Sequence, residues 1–282
     1  MRATANISTE FLANIAGADE SIALGAAALQ IARSEYPDLD IPRYLRRLDR
    51  MASVVTKRLP PEPELADIIN GLNGYLFGEL GFEGNMDDYF DPRNSFLNEV
   101  MERRLGIPIT LSVIYMEVAQ RVGLPLCGVS FPGHFLVKLS VDGGDIVLDP
   151  FVGGVSLSKD DLEFRLSGVY EIDDDLDDTL AALLAPARKR DIIVRMLHNL
   201  KSIYLRNGDL RRALNVVQHI VVLRPRHAPE IRDRGLLYQE LECFSSARED
   251  FRRYLELSPT ADDVEEFRGR FIEMEHASRR LN

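Results

Sequence analysis

The sequence of 282 residues, of which 45% are hydrophobic and 28% charged, is typical of a soluble globular protein with room for two domains. Its formal net charge of −11 argues against a general nucleic-acid binder, because binding to phosphates requires a basic surface. No apolar segment reaches the roughly 18 residues that span a bilayer, and the N-terminus lacks the pattern of a signal peptide, so we expect a cytoplasmic protein that does not bind membranes.

Residues 1–80 predict a helical N-terminal subdomain. Residues 21–34 are rich in alanine, leucine and isoleucine, and Pro37 ends the helix that they predict. Apolar residues recur at helical spacing in residues 43–57 and 64–77, which predicts two more helices.

Residues 81–170 differ in pattern and predict an α+β core. Two helical segments, residues 97–105 and 109–122, are each followed by a glycine, Gly106 and Gly123. Short segments rich in β-formers come next and include an Asp-Gly-Gly-Asp turn, which predicts an antiparallel meander. The predicted strands are residues 126–131, 135–141 and 146–148.

An acidic run over residues 171–178 follows the core. We interpret residues 171–190 as an acidic linker, because such runs are usually solvated or begin a helix. Clustered carboxylates also suit calcium or magnesium, but the run lacks the spaced glycine and terminal glutamate of an EF-hand loop. We therefore predict no metal site.

Residues 191–282 contain an internal repeat with a period of 34 residues. The repeated pairs are Tyr204 and Tyr238, Ala213 and Ala247, and Pro225 and Pro259. This is the period of a tetratricopeptide repeat, in which a small alanine lets two antiparallel helices approach and a proline ends the second. We predict two repeats over about residues 191–260, with Gly235 as another small contact position and a capping helix from Ala261. Since two repeats rarely stand alone, we expect them to dock on the preceding domain.

One histidine lies where a base could be oriented by a carboxylate. His134 follows a Pro-Gly turn at the start of a predicted strand, and Asp149 closes the next strand. In an antiparallel pair these positions can lie side by side, so Asp149 could orient His134 as in a catalytic triad. A purely structural hydrogen-bonded pair is the alternative interpretation.

The order of these motifs resembles the transglutaminase-like superfamily, in which a cysteine begins a helix and a histidine and an aspartate follow on strands. The segments that carry the resemblance are residues 94–100, 103–112, 131–136 and 148–151. They are similar to a bacterial family of transglutaminase-like proteins with C-terminal tetratricopeptide repeats, and the similarity covers essentially the whole chain. The resemblance implies an α+β fold with a helical N-terminal region, a papain-like core with an antiparallel sheet, and C-terminal α-hairpins.

The resemblance assigns the histidine of the superfamily to His134 and its aspartate to Asp149. Its cysteine position falls on or beside Pro108, which has neither a nucleophile nor a backbone donor. Thr110 and Ser112, at the start of the same helix, could supply a hydroxyl nucleophile where helix amides stabilise an oxyanion. Helix capping is the alternative role of these hydroxyls. Attack by a water molecule is a further alternative.

The two cysteines, Cys127 and Cys243, exclude a disulfide scaffold and a cysteine-rich zinc site and suit a reducing compartment. We interpret Cys127, which lies on an apolar strand, as a buried core thiol. The sequence has no glycine-rich phosphate loop, and its five histidines lack the spacing of metal ligands. We therefore predict no cofactor.

Polar and aromatic residues near the core are candidate binding groups. They are Tyr89, Asn94, Ser95, Glu99 and Phe131. Helix capping is the alternative role of the asparagine and the serine, and the glutamate has the spacing of a helical ion pair with Arg103. Core packing is the alternative role of the aromatic residues.

The function that this pattern favours is a non-thiol pseudoenzyme that binds a protein or peptide partner through its cleft and its repeats. The alternative is a hydrolase or acyltransferase that acts on amide or ester bonds with a non-cysteine nucleophile, and a purely structural scaffold is a third hypothesis. The enzyme requires Thr110 or Ser112 within hydrogen-bond reach of His134. The scaffold requires a buried histidine whose polar atoms are all satisfied by protein groups. The oligomeric state is left open.

Overall fold

A computed structural model describes residues 7–167 and 176–280 of the chain. The chain divides into two compact units, one formed by residues 10–196 and the other by residues 197–282 with residues 1–9. Most of the acidic run, for which a linker was predicted and a metal site considered, lies outside the described residues, and the four-part division stays a prediction. Among the described residues, no helix is both long enough and apolar enough to cross a membrane.

Helices dominate the N-terminal part of the chain, which confirms the predicted helical region. They are α1 (Thr9–Ile15), α2 (Leu24–Ala32), α3 (Ile41–Arg58) and α4 (Leu65–Asn73). The carboxylate of Asp40 accepts a hydrogen bond from the main-chain N–H of Arg43 at 3.0 Å, which caps α3. Helix α4 continues into a short π-helical turn, Gly74–Glu79.

Two further helices, α5 (Leu97–Arg103) and α6 (Pro108–Val122), form the centre of the first unit. All of residues 108–119 are buried, so α6 is covered on every side. Pro108 is its first residue, a position where the ring suits the helix and the missing N–H costs no hydrogen bond. Gly123 ends α6 with a φ of 97°, as the sequence predicted.

Helix α5 ends earlier than the sequence predicted. Arg104 adopts a left-handed φ of 64° and stops the helix, so the prediction of an end at Gly106 is wrong. Beyond it, β2 (Leu105–Gly106) pairs in parallel with β1 (Glu83–Gly84). This pairing engages main-chain groups that a longer helix would have needed for its own hydrogen bonds.

A four-stranded antiparallel sheet packs against α6. Its strands, in spatial order, are β3 (Cys127–Val129), β4 (Leu136–Val141), β5 (Gly144–Asp149) and β6 (Val155–Leu157). The sequence predicted the first three, and the Asp-Gly turn joins β4 to β5 with Gly143 at a φ of 98°. The three-residue β6 was missed because so short a segment carries no detectable alternation.

Helices α7 (Lys159–Ser167) and α8 (Leu176–Leu183) cover one face of this sheet. The leucines of both helices pack in a core cluster with residues of the sheet and of a loop. Helix α8 lies within residues 171–190, the segment interpreted as a linker. The cluster consists of Val129, Phe131, Leu136, Val147, Leu162, Leu166 and Leu180. Burial of these side chains positions α7 beside the end of β5.

The second unit consists of antiparallel helices, which confirms the predicted tetratricopeptide-type hairpins. They are α9 (Lys189–Arg206), of which residues from 197 onward belong to this unit, α10 (Leu210–Leu223), α11 (Ala228–Glu240), α12 (Phe244–Leu257) and α13 (Val264–Arg280). Ala213 and Ala247 are completely buried, as close helix packing requires. The turns of the two hairpins use equivalent left-handed residues, Gly208 at a φ of 70° and Glu242 at 58°.

Charged side chains of α9 and α11 are paired within the second unit. Lys201 Nζ lies 2.9 Å from Glu230 Oε2 and 2.6 Å from Asp233 Oδ2, and His198 Nε2 lies 2.6 Å from Glu230 Oε1. Burial alone would raise the pKa of Glu230, but these cationic partners outweigh it and lower the pKa to about 2. Glu230 is therefore ionised at neutral pH, and its charge is used inside the unit.

Gly235 tests the packing of the repeats. A Cβ at this position would lie 2.6 Å from Cε1 of Phe251, so Gly235→Ala forces the ring to move. Overpacking of this kind costs about 1–3 kcal/mol, against which alanine gains up to about 1 kcal/mol in a helix. We expect a net loss of about 1 kcal/mol in the free energy of unfolding, measured by chemical denaturation.

Gly269→Ala in α13 is the matched control, because the new Cβ meets nothing within 4 Å. It should raise the free energy of unfolding by about 0.5–1 kcal/mol. Equal stabilisation by both substitutions would contradict the close approach of α11 and α12.

Candidate functional site

His134 and Asp149 are in contact at one edge of the sheet. His134 lies in the turn between β3 and β4, and Asp149 is the last residue of β5. Because β4 and β5 are antiparallel neighbours, the start of one lies beside the end of the other. The Nε2 atom of His134 lies 2.9 Å from Oδ1 and 2.9 Å from Oδ2 of Asp149. The structure thus brings together the two residues that sequence analysis paired.

The carboxylate of Asp149 has two further partners. Arg165 of α7 places Nη1 2.7 Å from Oδ2, and the main-chain N–H of Phe151 donates to Oδ1 at 3.0 Å. Asp149 is fully buried, and burial alone would raise its pKa. The hydrogen bonds and charges of His134 and Arg165 outweigh burial, so the net shift of the Asp149 pKa is downward. The buried carboxylate is therefore ionised and shared between the imidazole of His134 and the guanidinium of Arg165.

The second ring nitrogen of His134 has no hydrogen-bond partner among the described residues. Because the carboxylate only accepts hydrogen bonds, Nε2 carries the proton and Nδ1 is the free nitrogen. Nδ1 makes no hydrogen bond with any residue that the structure describes, and the side chain is 17% exposed. The edge of the ring meets Phe151, with the ring centroids 5.6 Å apart. A purely structural histidine would have protein partners for both ring nitrogens, and His134 has one for Nε2 but none for Nδ1 among the described residues.

The two candidate nucleophiles of α6, Thr110 and Ser112, contact the main chain. Thr110 Oγ1 donates to the carbonyl of Asn94 at 2.8 Å and accepts from the N–H of Ile107 at 3.1 Å. Ser112 Oγ lies 3.4 Å from the carbonyl oxygen of Phe135. Both hydroxyls are completely buried. Within the described part of the chain neither is hydrogen-bonded to His134, so the contact that the enzyme hypothesis requires is not formed.

The predicted burial of Cys127 is wrong. Its side chain is exposed, whereas Val129 two residues later is completely buried. Cys127 is the first residue of β3, so it lies at the end of the strand where the core no longer covers it. An apolar segment in the sequence does not show where the covering elements end.

Asn94 organises the loop that precedes α5. Its Nδ2 donates to the carbonyls of Asp88 at 2.7 Å and Tyr89 at 3.3 Å, and its Oδ1 accepts from Asn85 at 3.1 Å. The side chain is completely buried. Asn94 thus positions Tyr89 and is not itself exposed to a ligand.

The other candidate binding groups are covered or half-covered. Ser95 and Phe131 are each 1% exposed, and the phenylalanine belongs to the core cluster. The predicted ion pair between Glu99 and Arg103 does not form, because Arg103 pairs with Asp91 at 3.3 Å. Burial, together with Glu99, raises the pKa of the Tyr36 hydroxyl to about 12, so Glu99 has a tyrosine as its partner. Of the five predicted binding groups, this leaves Tyr89 to contribute to an exposed surface.

Three aromatic rings lead from the surface to His134. Tyr89 and Phe90 are 39% and 52% exposed, and their ring centroids are 5.5 Å apart. Tyr89 also meets Phe151 at 6.5 Å, and Phe151 is the ring that contacts His134. We call Tyr89, Phe90, Phe151 and His134 the aromatic rim.

Arg195 lies next to the same turn and was missed by sequence analysis. Its Nη2 donates to the carbonyl of His134 at 2.6 Å and to that of Phe131 at 3.2 Å, and its guanidinium lies over the ring of Phe135 at 5.5 Å. No carboxylate among the described residues pairs with it. Burial lowers the pKa of Arg195. The sequence pattern assigned this residue to the repeats, whereas it belongs to the first unit.

A concavity lies between α4 and strands β5 and β6. It has a volume of about 700 Å³. Its walls are mainly apolar and include Leu65, Ile69, Ile146, Leu148 and Val155. Among the described residues, no group of three or more His, Cys, Asp or Glu side chains could hold a metal ion.

Comparison with known proteins agrees with this architecture. The model of the transglutaminase-like superfamily matches residues 42–198, and the model of the tetratricopeptide repeat matches residues 200–271. No solved structure matches the chain.

Similar proteins occur in several bacteria. The UPF0162 protein of Xylella fastidiosa (strain 9a5c) is 46% identical over 91% of this chain and 91% of its own length. UPF0162 protein PA3419 of Pseudomonas aeruginosa is 33% identical over 89% of this chain and 90% of its own length. Protein SirB1 of Salmonella typhimurium is 29% identical over 81% and 85% of the two chains.

Asp149→Asn tests the stabilising role of the buried carboxylate. The variant leaves Arg165 without its counter-charge, so the free energy of unfolding at pH 7 should fall by about 2–3 kcal/mol. Because the folded pKa of Asp149 is below its unfolded value of about 3.9, this contribution is present above about pH 4. It is lost as the pH falls through the folded pKa, so wild type and variant should converge below pH 4 in urea denaturation.

Asp142→Asn is the control, since Asp142 is exposed in the turn between β4 and β5. Its effect should stay within about 0.5 kcal/mol at every pH. A difference between wild type and Asp149→Asn that grows as the pH falls below about 4 would contradict a lowered pKa of Asp149.

Proposed function

We propose a binding role for this chain, which belongs to the transglutaminase-like superfamily and, within it, to the UPF0162 proteins of bacteria. In this proposal the first unit is a pseudoenzyme that binds a protein or peptide partner in the cleft beside the aromatic rim. The tetratricopeptide unit supplies a second surface, because such repeats generally mediate contacts between proteins. We place this role in the cytoplasm, where the two free cysteines, Cys127 and Cys243, suit a reducing environment.

The observation that carries the proposal is the engagement of the hydroxyls beside the expected nucleophile position. Pro108 begins α6, and the hydroxyls of Thr110 and Ser112 on the next turn contact main-chain oxygens. A nucleophile must be hydrogen-bonded to its base, or brought to it by a small movement. Movement of either hydroxyl would leave buried polar groups without partners, each of which costs about 1–3 kcal/mol.

The charge balance around Asp149 supports the same proposal. In a catalytic triad the aspartate stabilises the imidazolium that forms when the histidine takes a proton. Here the carboxylate also pairs with Arg165 at 2.7 Å, and the guanidinium neutralises part of its charge. Less of that negative charge is then available to stabilise a protonated His134. The contact between His134 and Asp149 therefore fixes the turn before β4 more than it raises the basicity of the imidazole.

The aromatic rim supports binding of a partner. Tyr89 and Phe90 are large, exposed and held by the loop that Asn94 fastens. Aromatic side chains are enriched in protein interfaces, because a rigid ring buries much surface at little entropic cost. A preformed apolar surface therefore lies beside the vestige of the catalytic pair.

One observation favours the alternative of a hydrolase or acyltransferase. Nδ1 of His134 has no partner in the described part of the chain, the side chain is partly exposed, and Nε2 is oriented by Asp149 at 2.9 Å. This arrangement can accept a proton from a water molecule or from a substrate. The two functions differ in whether turnover depends on His134.

Hydrolysis of p-nitrophenyl acetate and of an amide analogue tests the distinction. We expect the full chain and its His134→Gln variant to give the same rate, since no nucleophile is hydrogen-bonded to His134 within the described residues. His227→Gln, which removes an exposed histidine just before α11, controls for ester hydrolysis by surface imidazoles. A rate at least tenfold above this control that is lost in His134→Gln and in Thr110→Val would establish the enzyme instead.

Site-specific photo-crosslinking in the source bacterium tests binding. A benzophenone side chain at position 90 should give a discrete adduct with a protein partner, and the same group at exposed position 62 should not. Tyr89→Ala should weaken the adduct at least fivefold, because it removes part of the rim. Identical adducts from both positions, or an adduct unaffected by Tyr89→Ala, would contradict recognition at the rim.

A further inference from the structure

We propose that the guanidinium of Arg195 is a carboxylate anchor, so that the cleft of the first unit binds a peptide that presents a carboxylate next to an apolar side chain. This inference rests on the proposed binding function and specifies the chemistry of the ligand. The carboxylate would contact Arg195, and the apolar side chain would pack on Tyr89 and Phe90.

The first argument is the position in which Arg195 is held. Two main-chain carbonyls, those of Phe131 and His134, accept hydrogen bonds from Nη2 at 3.2 Å and 2.6 Å. The ring of Phe135 lies under the guanidinium at 5.5 Å. A side chain that is fixed in advance loses little conformational freedom when a ligand binds.

The second argument is the missing counter-charge. Other arginines of the first unit, Arg165 and Arg121, pair with carboxylates at 2.7 Å. Arg195 is half-buried and has no such partner among the described residues, although Nε and Nη1 carry donors that its two hydrogen bonds leave unused. A desolvated cation gains more from an incoming anion than an exposed cation does, because the attraction is less screened.

The third argument is the neighbourhood of the guanidinium. Burial raises the pKa of the Tyr89 hydroxyl, and the charge of Arg195 opposes that rise, so the field of the guanidinium reaches the rim. The His134 carbonyl that Arg195 binds belongs to the residue whose ring meets Phe151. The anchor and the aromatic rim are therefore parts of one surface.

The fourth argument concerns the sign of the surrounding charge. The chain carries a formal net charge of −11, which disfavours anions over most of its surface. The carboxylate of Asp149 is already paired with Arg165 at 2.7 Å and accepts a hydrogen bond from His134 at 2.9 Å. Asp87 and Asp88, which directly precede Tyr89, are exposed. Water and salt therefore screen the repulsion between these carboxylates and an incoming anion. Arg195 thus provides a local exception in an acidic protein.

A pair of matched probes tests the proposal on the full chain. N-acetylphenylalanine and N-acetylphenylalaninamide share the aromatic ring and differ in the carboxylate. Titrations followed by NMR should show that the acid binds wild type at least fivefold more tightly than the amide. Equal affinity of the two probes, or no binding of either at millimolar concentrations, would overturn the proposal without the need for any variant.

Three variants assign the preference to a residue. Arg195→Gln should reduce the ratio of the two affinities to about one, and Arg195→Lys should keep part of it, since the charge remains. Tyr89→Ala should weaken both probes equally and leave the ratio unchanged. Arg188→Gln, which alters an exposed arginine paired with Asp191, is the control that should change nothing.

The outcomes separate this inference from the proposed function. Retention of the acid preference in a folded Arg195→Gln variant would show that Arg195 only fastens the turn at residues 131–134, and the anchor would be rejected. A crosslinked partner at position 90 without any acid preference would reject the anchor and leave the binding function standing. Hydrolysis that depends on His134 would reject the binding function itself.

Discussion

The carboxylate of Asp149 is completely buried, so its negative charge must be stabilised by groups within the fold. Three elements supply those groups: the turn before β4 with His134, helix α7 with Arg165, and the turn after β5 with the N–H of Phe151. A buried ion without such partners would cost several kcal/mol. The geometry around His134 depends on this one group, because each partner also holds the segment that carries it.

The dependence extends to helix α7 and to the loop before α5. Leu162 and Leu166 pack into the core cluster, and this packing brings Arg165 of the same helix to Asp149. Phe151, whose N–H binds the carboxylate, places its ring between His134 and Tyr89. The contacts of the buried Asp149 thus support the aromatic rim. His134 is the one rim residue that also belongs to the predicted pair of His134 and Asp149.

The sequence predicted the contact between His134 and Asp149 because antiparallel neighbours obey a local rule. A strand that starts beside a turn must face the end of the following strand, so the spacing of the turns was sufficient. The same reasoning located α6 and its end at Gly123, where glycine adopts a left-handed φ of 97°. Short-range geometry determines these features, and short-range geometry can be read from residue order.

Arg165 and Arg195 could not be found in this way. Each reaches the site from a helix whose placement follows from tertiary packing, and neither lies in a recognisable motif. Arg195 was assigned to the repeats because periodicity continues through α9, whereas contacts within residues 10–196 place it beside His134. The prediction that Cys127 is buried was wrong for a related reason. The sequence identified its strand, but it did not show that the core ends before this residue and leaves it exposed.

The two units differ in how they use their charges, and this difference points to the first unit for recognition of an anion. In the second unit Lys201 is bound by Glu230 and Asp233, and Arg234 lies 2.6 Å from Asp250. A ligand that took either cation would have to break a partly buried pair, at a cost comparable to the attraction it gained. Arg195 has already lost part of its hydration, and no carboxylate in residues 7–167 or 176–280 pairs with it. A carboxylate that binds Arg195 forms an ion pair without breaking another. Because folding has already removed part of the water from Arg195, less of that desolvation cost remains to oppose binding of the ligand.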